Sequence, residues 1–245
     1  MLNEVEVNSF CKSYGKIKAC DGIQFSAEKN AVTGILGRNG AGKSTLLKAV
    51  CGILYPASGT VSVCGCERPD EIRKAVAFVP ETPELPMNLT VKEILFFEAS
   101  LFAVPKDRML SSVEHAVSLC GLKDVLFMKV CALSKGFRQR VSLAKAICRE
   151  PKVLVLDEFS AGLDPSQTAF FRSELKKLSR RMTLIFSTHH TEEAALLCDR
   201  IYILSRGTVA ACGTAQALMA SSCAGTLEEA FIKITEGNSP DESSL

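Results

Sequence analysis

The sequence predicts an α/β fold with a mostly parallel core sheet, an antiparallel β layer and a helical subdomain. Three observations carry that expectation. Residues Gly37 to Thr45 read GRNGAGKST, the phosphate-loop pattern G-x-x-x-x-G-K-[ST], between an apolar strand (AVTGIL, Ala31 to Leu36) and a helical run (TLLKAVCG). KVLVLDE, MTLIFSTHH and DRIYILSRG are short apolar runs separated by helical segments, the alternation of a parallel sheet. VEVNSF, GIQFSA and GTVSVCG alternate apolar and polar residues at the strand period, as an antiparallel layer requires.

In chain order, two antiparallel strands lie in the first thirty residues, the phosphate-loop unit follows, and GTVSVCG comes after it at Gly59 to Gly65. From Val91 to about Leu119 apolar residues recur at helical spacing (Val91, Ile94, Leu95, then Val113 and Val117), and a second helix is expected after Gly136. This middle stretch, about 81–145, reads as a helical insert in a domain spanning 1–236. The tail GNSPDESSL (237–245) is small, polar and acidic, too poor in apolar residues to pack, and is expected to be disordered.

Composition narrows the function. A chain of 245 residues with 47% apolar side chains can bury a sizeable core. A formal net charge of +2 gives no reason to expect a nucleic-acid partner. MLNEVEVNSF lacks a basic segment followed by an apolar core, and no apolar run approaches the roughly 18 residues that span a bilayer, so the expectation is a cytosolic chain. Most of the eleven cysteines lie in apolar segments (Cys51, Cys120, Cys148, Cys198) and read as small hydrophobes with free thiols. Cys64 and Cys66 form the one close pair, without a second pair or His cluster at zinc spacing.

The phosphate loop is the most specific signal. At average residue usage, chance produces the pattern in roughly one such chain in a hundred. Its nine residues, Gly37, Arg38, Asn39, Gly40, Ala41, Gly42, Lys43, Ser44 and Thr45, are candidates for cradling nucleotide phosphates, because backbone N–H groups and the following helix dipole both favour anions. Val153 to Leu156 form an apolar strand that ends in Asp157 and Glu158, which puts two carboxylates at the ligand-binding edge of a parallel sheet. Asp157 and the Ser44 hydroxyl are then expected to hold Mg²⁺, and Lys43 to meet the β- and γ-phosphates. Glu158 remains free to orient water. His189 ends the next apolar strand, on the same edge. His115 and His190 read as solvated.

Leu133 to Arg140, LSKGFRQR, lie directly before an apolar helix and precede the carboxylate pair. This segment resembles the LSGGQ signature of ABC ATPases, the ATP-binding subunits of ABC transporters. The resemblance extends over nearly the whole chain. It implies the ABC ATPase type of phosphate-loop fold, with ATP and Mg²⁺ as cofactors. Tyr14, in KSYGKIKACDGIQF, matches the aromatic that stacks on adenine, Ser160 to Asp164 (SAGLD) the loop at the dimer interface, and His189 the switch histidine. Tyr14 is also open to a plainer reading as a surface tyrosine. LSKGFRQR, the chain length and the ending LEEAFIKIT look most similar to the branch serving separate-chain exporters of drugs, sodium or haem.

The resemblance also implies partners. Ser134 and the N–H groups near Gly136, at a helix N-terminus, would face the γ-phosphate held by a second subunit. Two half-sites would close over two ATP molecules in a homodimer, or in a heterodimer with a similar ATPase, and drive a separate integral membrane permease from the cytoplasmic, inner face of the cell membrane. Three departures bear on this. Lys135 stands where the signature has Gly, and Phe137 where it has Gln, which would remove a ribose-edge contact and add a cation near the triphosphate. Glu81, in FVPE, replaces the Gln that touches Mg²⁺ and water; a carboxylate there can ligate the metal or repel the anion, and both readings stand. Phe159 replaces a Pro and reads as packing.

Three other readings are weaker; one of them, a nucleotide-binding module without turnover, would need a damaged site, yet Lys43, Ser44, Asp157, Glu158 and His189 are all present. A soluble ABC-type ATPase acting on DNA or ribosomes usually carries two ATPase domains or a long coiled-coil insert, neither of which is found here. A GTPase or small-molecule kinase would explain GRNGAGKST but not LSKGFRQR, and no N-K-x-D motif is present.

Overall fold

The computed structural model describes residues 2–160 and 164–236. Two sheets organise it. Strands β1 (Asn3–Tyr14), β2 (Ile17–Glu28) and β4 (Ser58–Val63) form a three-stranded antiparallel layer in the order β2-β1-β4. The second sheet has the order β5-β6-β7-β3-β8-β9, from β5 (Val76–Val79), β6 (Val153–Asp157), β7 (Thr183–Thr188), β3 (Val32–Leu36), β8 (Arg200–Ser205) and β9 (Thr208–Gly213). Its first five strands run parallel; β3, β6, β7 and β8 are the ones the sequence pattern predicts, whereas β5, four residues long, was not expected.

Strand β9 pairs antiparallel with β8 at the edge and was not part of the expected parallel alternation. The turn that makes it, Arg206-Gly207, has both residues at positive φ (48° and 80°), the twist that suits a two-residue hairpin.

The parallel strands are buried on both faces. In β6, Val153 and Val155 pack with α1 (Lys43–Val50) residues such as Leu46 and with Val5, Val7 and Phe10 of the antiparallel layer. Leu154 and Leu156 point the other way, into a cluster with α3 (Val91–Leu101), α4 (Lys106–Leu119), α5 (Lys135–Ile147) and α6 (Pro165–Leu178). The period-2 geometry of a strand thus joins two cores through one sheet. A third cluster sets Leu36, Ile201 and Ile203 against α7 (Thr191–Leu197), α8 (Ala215–Ser221) and α9 (Leu227–Glu236). The remaining helix, α2 (Pro69–Ala75), leads into β5.

Local chemistry sets the helix bounds in the insert. Thr90 and Glu93 form a reciprocal capping box that starts α3. The apolar spacing from Val91 to Leu119 belongs to two helices rather than one: Ala103 adopts φ 54°, and Pro105 caps α4 because the residue before a proline is pushed out of helical geometry. Helix α5 begins at Lys135, one residue before Gly136, because the Ser134 hydroxyl accepts the Phe137 N–H at 3.3 Å.

Phe159 is packed as expected, 2% exposed and edge-on to Phe171 with ring centroids 5.6 Å apart. Cys51, Cys120 and Cys148 are buried. Burial pushes the Cys20 thiol up to about 12, so it stays protonated at neutral pH. Residues 161–163 and 237–245 lie outside the described residues, so the expectations placed on them stand as sequence readings. Among the described residues no helix is long and apolar enough to cross a membrane.

Candidate active site

The phosphate loop joins the C-terminal end of β3 to α1, on the sheet edge where parallel sheets bind ligands. Helix α1 has no side-chain N-cap and no acidic residue in its first turn, so its leading N–H groups and positive dipole end are free to meet an anion. Gly42 adopts φ 104°, and a Cβ there would run into the Ala19 carbonyl of β2; only glycine lets the loop lie this close to the antiparallel layer.

The loop residues divide in two. Arg38, Asn39, Gly40 and Ala41 line a cavity of about 240 Å³ with Thr235 and Glu236 of α9. Arg38 pairs with Glu236 at 3.6 Å, an exposed contact that contributes little to stability. Ser44 lines a second cavity of about 590 Å³ with Asp157, Glu81, Glu98, Lys145 and Arg149. Ser44, Asp157 and Glu81, the three expected metal ligands, therefore border one space between α1, β6 and the helical insert. Thr45, the next residue, is partly buried.

Lys43 is the centre of the charge arrangement. Its side chain is 4% exposed; Nζ donates to the carbonyls of Gly37 (2.8 Å) and Arg38 (3.3 Å) and lies 3.0 Å from Glu158 Oε1. The other oxygen of Glu158, Oε2, lies 3.0 Å from His189 Nδ1. Burial pushes the Glu158 carboxyl up, but the hydrogen bond and charge of Lys43, with a further contribution from His189, hold it below its ordinary value. Glu158 is thus an ionised base at neutral pH. Its backbone is in the left-handed region (φ 43°), held by hydrogen bonds from its N–H to both the hydroxyl (3.1 Å) and the carbonyl (3.2 Å) of Ser187. Ser187 Oγ also donates to Asp157 Oδ1 at 2.5 Å, which fixes the buried carboxylate.

The structure brings together Lys43, Glu158 and His189, which lie far apart in sequence. It places His115 and His190 at the surface, as expected. Tyr14 is half exposed in the β1–β2 hairpin, whose Ala19 abuts the phosphate loop. Ser134 and Gly136 border neither of the two cavities described above. Asp164 caps α6, accepting from Ser166 Oγ and Gln167 N, and these bonds hold its carboxyl below the usual range.

Ser187 and Gln167 are among the supporting residues that escaped the sequence reading. Ser187 is an ordinary serine near the end of an apolar strand. Gln167 lies across Gly136, so that a Cβ on Gly136 would meet its side-chain Oε1 at 2.5 Å. Neither partnership leaves a short-range signal, since each joins residues about thirty apart.

Comparison with known proteins gives a consistent result. The ABC transporter family model matches residues 20–161, and an AAA-domain model matches 129–195. The Nod factor export ATP-binding protein I of Burkholderia orbicola (strain AU 1054) is 36% identical over 214 residues, 86% of this chain and 70% of the relative. The ABC transporter ATP-binding protein NatA of Bacillus subtilis (strain 168) is 32% identical over 228 residues, 90% and 92% of the two chains. Among solved structures, an ATP-binding subunit of an ABC transporter superposes with a TM-score of 0.87 at 26% identity, covering 94% of this chain and 99% of the other. The cbiO1 protein of Clostridium perfringens, part of the ABC transporter complex cbiONQ, gives 0.81 at 29% identity, covering 89% and 91%.

Proposed function

The chain belongs to the ABC transporter family of ATP-binding proteins, and from that premise we propose that it powers an exporter, closing on a second ATP-binding chain to drive a separate membrane permease. It is an ATP-binding subunit and an ATPase. The single observation that carries the catalytic assignment is Glu158, held ionised between Lys43 and His189 at the end of β6.

The roles follow from position and charge. The phosphate-loop N–H groups and the α1 dipole would bind the phosphates, and Lys43 would neutralise charge on the β- and γ-oxygens. An arriving triphosphate competes with Glu158 for Lys43. Released from that pair, Glu158 is available to orient the attacking water and accept its proton, with His189 holding the second carboxylate oxygen. Tyr14 would stack on the base.

Mg²⁺ fits the donor set. The hydroxyl of Ser44 and the carboxylate of Asp157 are hard oxygen donors bordering one cavity, with Asp157 oriented by Ser187 and Glu81 across the same space. When bound there, the ion would supply charge neutralisation on the transferred phosphoryl group.

The export direction is supported by the Nod factor export relative. Partner docking is supported by the insert, where Phe97 and Leu101 of α3 are 61% and 62% exposed and Phe127 73%. Such large apolar side chains in the open suit a partner helix at the inner membrane face. Ser134 and Gly136 would complete the site of the second chain. The test is recovery of the tagged chain from detergent-solubilised membranes: the reading expects an integral membrane protein to co-purify in stoichiometric amount. Recovery with soluble proteins alone, while ATPase-dead variants still abolish a transport phenotype, would contradict the direct coupling.

A further inference from the structure

Glu193 belongs to none of the motifs that identify the site, yet it is the buried point at which two catalytic segments meet. It is 6% exposed, in the first turn of α7. One of its oxygens, Oε2, accepts two hydrogen bonds: from Ser160 Oγ at 3.0 Å and from Thr188 Oγ1 at 2.8 Å. Ser160 lies two residues after Glu158, and Thr188 immediately before His189. The Thr188 hydroxyl accepts in turn from the His190 N–H at 3.0 Å, so the chain on either side of His189 is fixed.

A glutamate at the third position of a helix ordinarily reaches back to the N-cap N–H. Here that N–H, of His190, is taken by Thr188, and Glu193 reaches out of its helix to Ser160. Helix capping leaves the Ser160 bond unexplained. Burying a carboxylate is costly unless its hydrogen bonds are made, and these two are made to the strand and the loop that carry His189 and Glu158. Glu158 also needs such restraint: its left-handed backbone persists only where the surroundings over-determine it; Ser187 holds its amino side, Phe159 is held by packing, and the Ser160 bond adds a directional tie on the carboxyl side.

We propose that Glu193 is a positioning residue for ATP hydrolysis, clamping the loop after Glu158 to the strand before His189 so that the 3.0 Å contact between Glu158 and His189 is held in register. The inference rests on the ATPase reading of the site. Because both hydroxyls donate to the same oxygen, a glutamine can keep the clamp by placing its carbonyl there, whereas alanine cannot.

The test is steady-state ATPase kinetics of the full chain with ATP and Mg²⁺, together with equilibrium binding of a fluorescent ATP analogue and a thermal melt. Glu193→Ala is expected to lower kcat by about 10- to 100-fold, the scale of a small misplacement of reacting groups, with nucleotide affinity within about twofold of wild type. Glu193→Gln should restore kcat to within about threefold of wild type. Ser160→Ala removes only the loop half of the clamp, leaves the buried carboxylate bonded to Thr188, and should lower kcat severalfold at unchanged affinity; it carries the test if Glu193→Ala does not fold. An unchanged kcat in Ser160→Ala and Glu193→Ala overturns the proposal. So does parallel loss of kcat and nucleotide affinity, or a Gln variant as slow as the Ala variant. Glu158→Gln run alongside separates the two levels: if it stays active the catalytic reading itself fails, whereas an inactive Glu158→Gln beside a normal Glu193→Ala refutes the clamp alone.

Discussion

Lys43 Nζ lies 3.0 Å from Glu158 Oε1, so the cation that would receive phosphate and the carboxylate that would orient water neutralise each other inside the site. Such a pair is a reason for the arrangement to be stable without nucleotide. Removing one member of a buried pair strands the other, at about 3–5 kcal/mol.

Glu158→Gln keeps the shape of the side chain and removes the base. ATP binding should survive and turnover should fall by about 10²-fold or more, the scale of losing general-base assistance. Steady-state phosphate release measures it. A near-normal rate would take Glu158 out of the catalytic role.

The same pair predicts a pH dependence of stability. Glu158 is depressed below its ordinary value of 4.5 in the folded protein, so its stabilising contribution is present above the unfolded pKa and is lost as pH falls through the folded one. The stability gap between wild type and Glu158→Gln, from urea unfolding, should therefore be widest near neutral pH and shrink below about pH 4. A gap that stays constant from neutral to acid pH would mean that Glu158 is not ionised against Lys43.

Gly136 lies beneath the side chain of Gln167, and that contact makes a separable prediction. The obstacle to a Cβ is the far end of a flexible side chain, so Gly136→Ala should cost about 1 kcal/mol or less as Gln167 swings aside. Its ATPase activity should nonetheless fall, since the N-terminus of α5 is the surface proposed to meet the partner's nucleotide. Gln167→Ala added to it should recover the stability and not the rate. Recovery of both would assign Gly136 a packing role only.

How much of this was legible in sequence depended on range. The phosphate loop and the carboxylates after Leu156 could be read because their chemistry lies within a few consecutive residues of a strand, loop or helix. Phe159 was legible as packing because a large aromatic after a buried strand has few other uses. The break in the insert at Ala103 was missed because apolar spacing continues across it, although Pro105 marked it. Strand β9 was hidden because it is short, made mostly of small residues and only partly buried at a sheet edge, so it carries no apolar run of the kind that marks a buried strand. The links from Ser187 to Asp157 and from Glu193 to Ser160 join side chains about thirty residues apart, and no local periodicity encodes such contacts.

The most direct measurement concerns the shared site, because the proposed cycle requires Lys43 from one chain and Ser134 from the other to act on one ATP. Lys43→Ala and Ser134→Arg proteins should each be nearly inactive alone. Mixed, they form dimers in which one site holds both lesions and the other neither. With random exchange and independent sites, about half the dimers carry one intact site of two, so the ATPase rate should rise to about a quarter of wild type and peak near equal amounts. No recovery, with mixed dimers confirmed by differently tagged chains and no tightly held nucleotide in them, would contradict a site built from two chains.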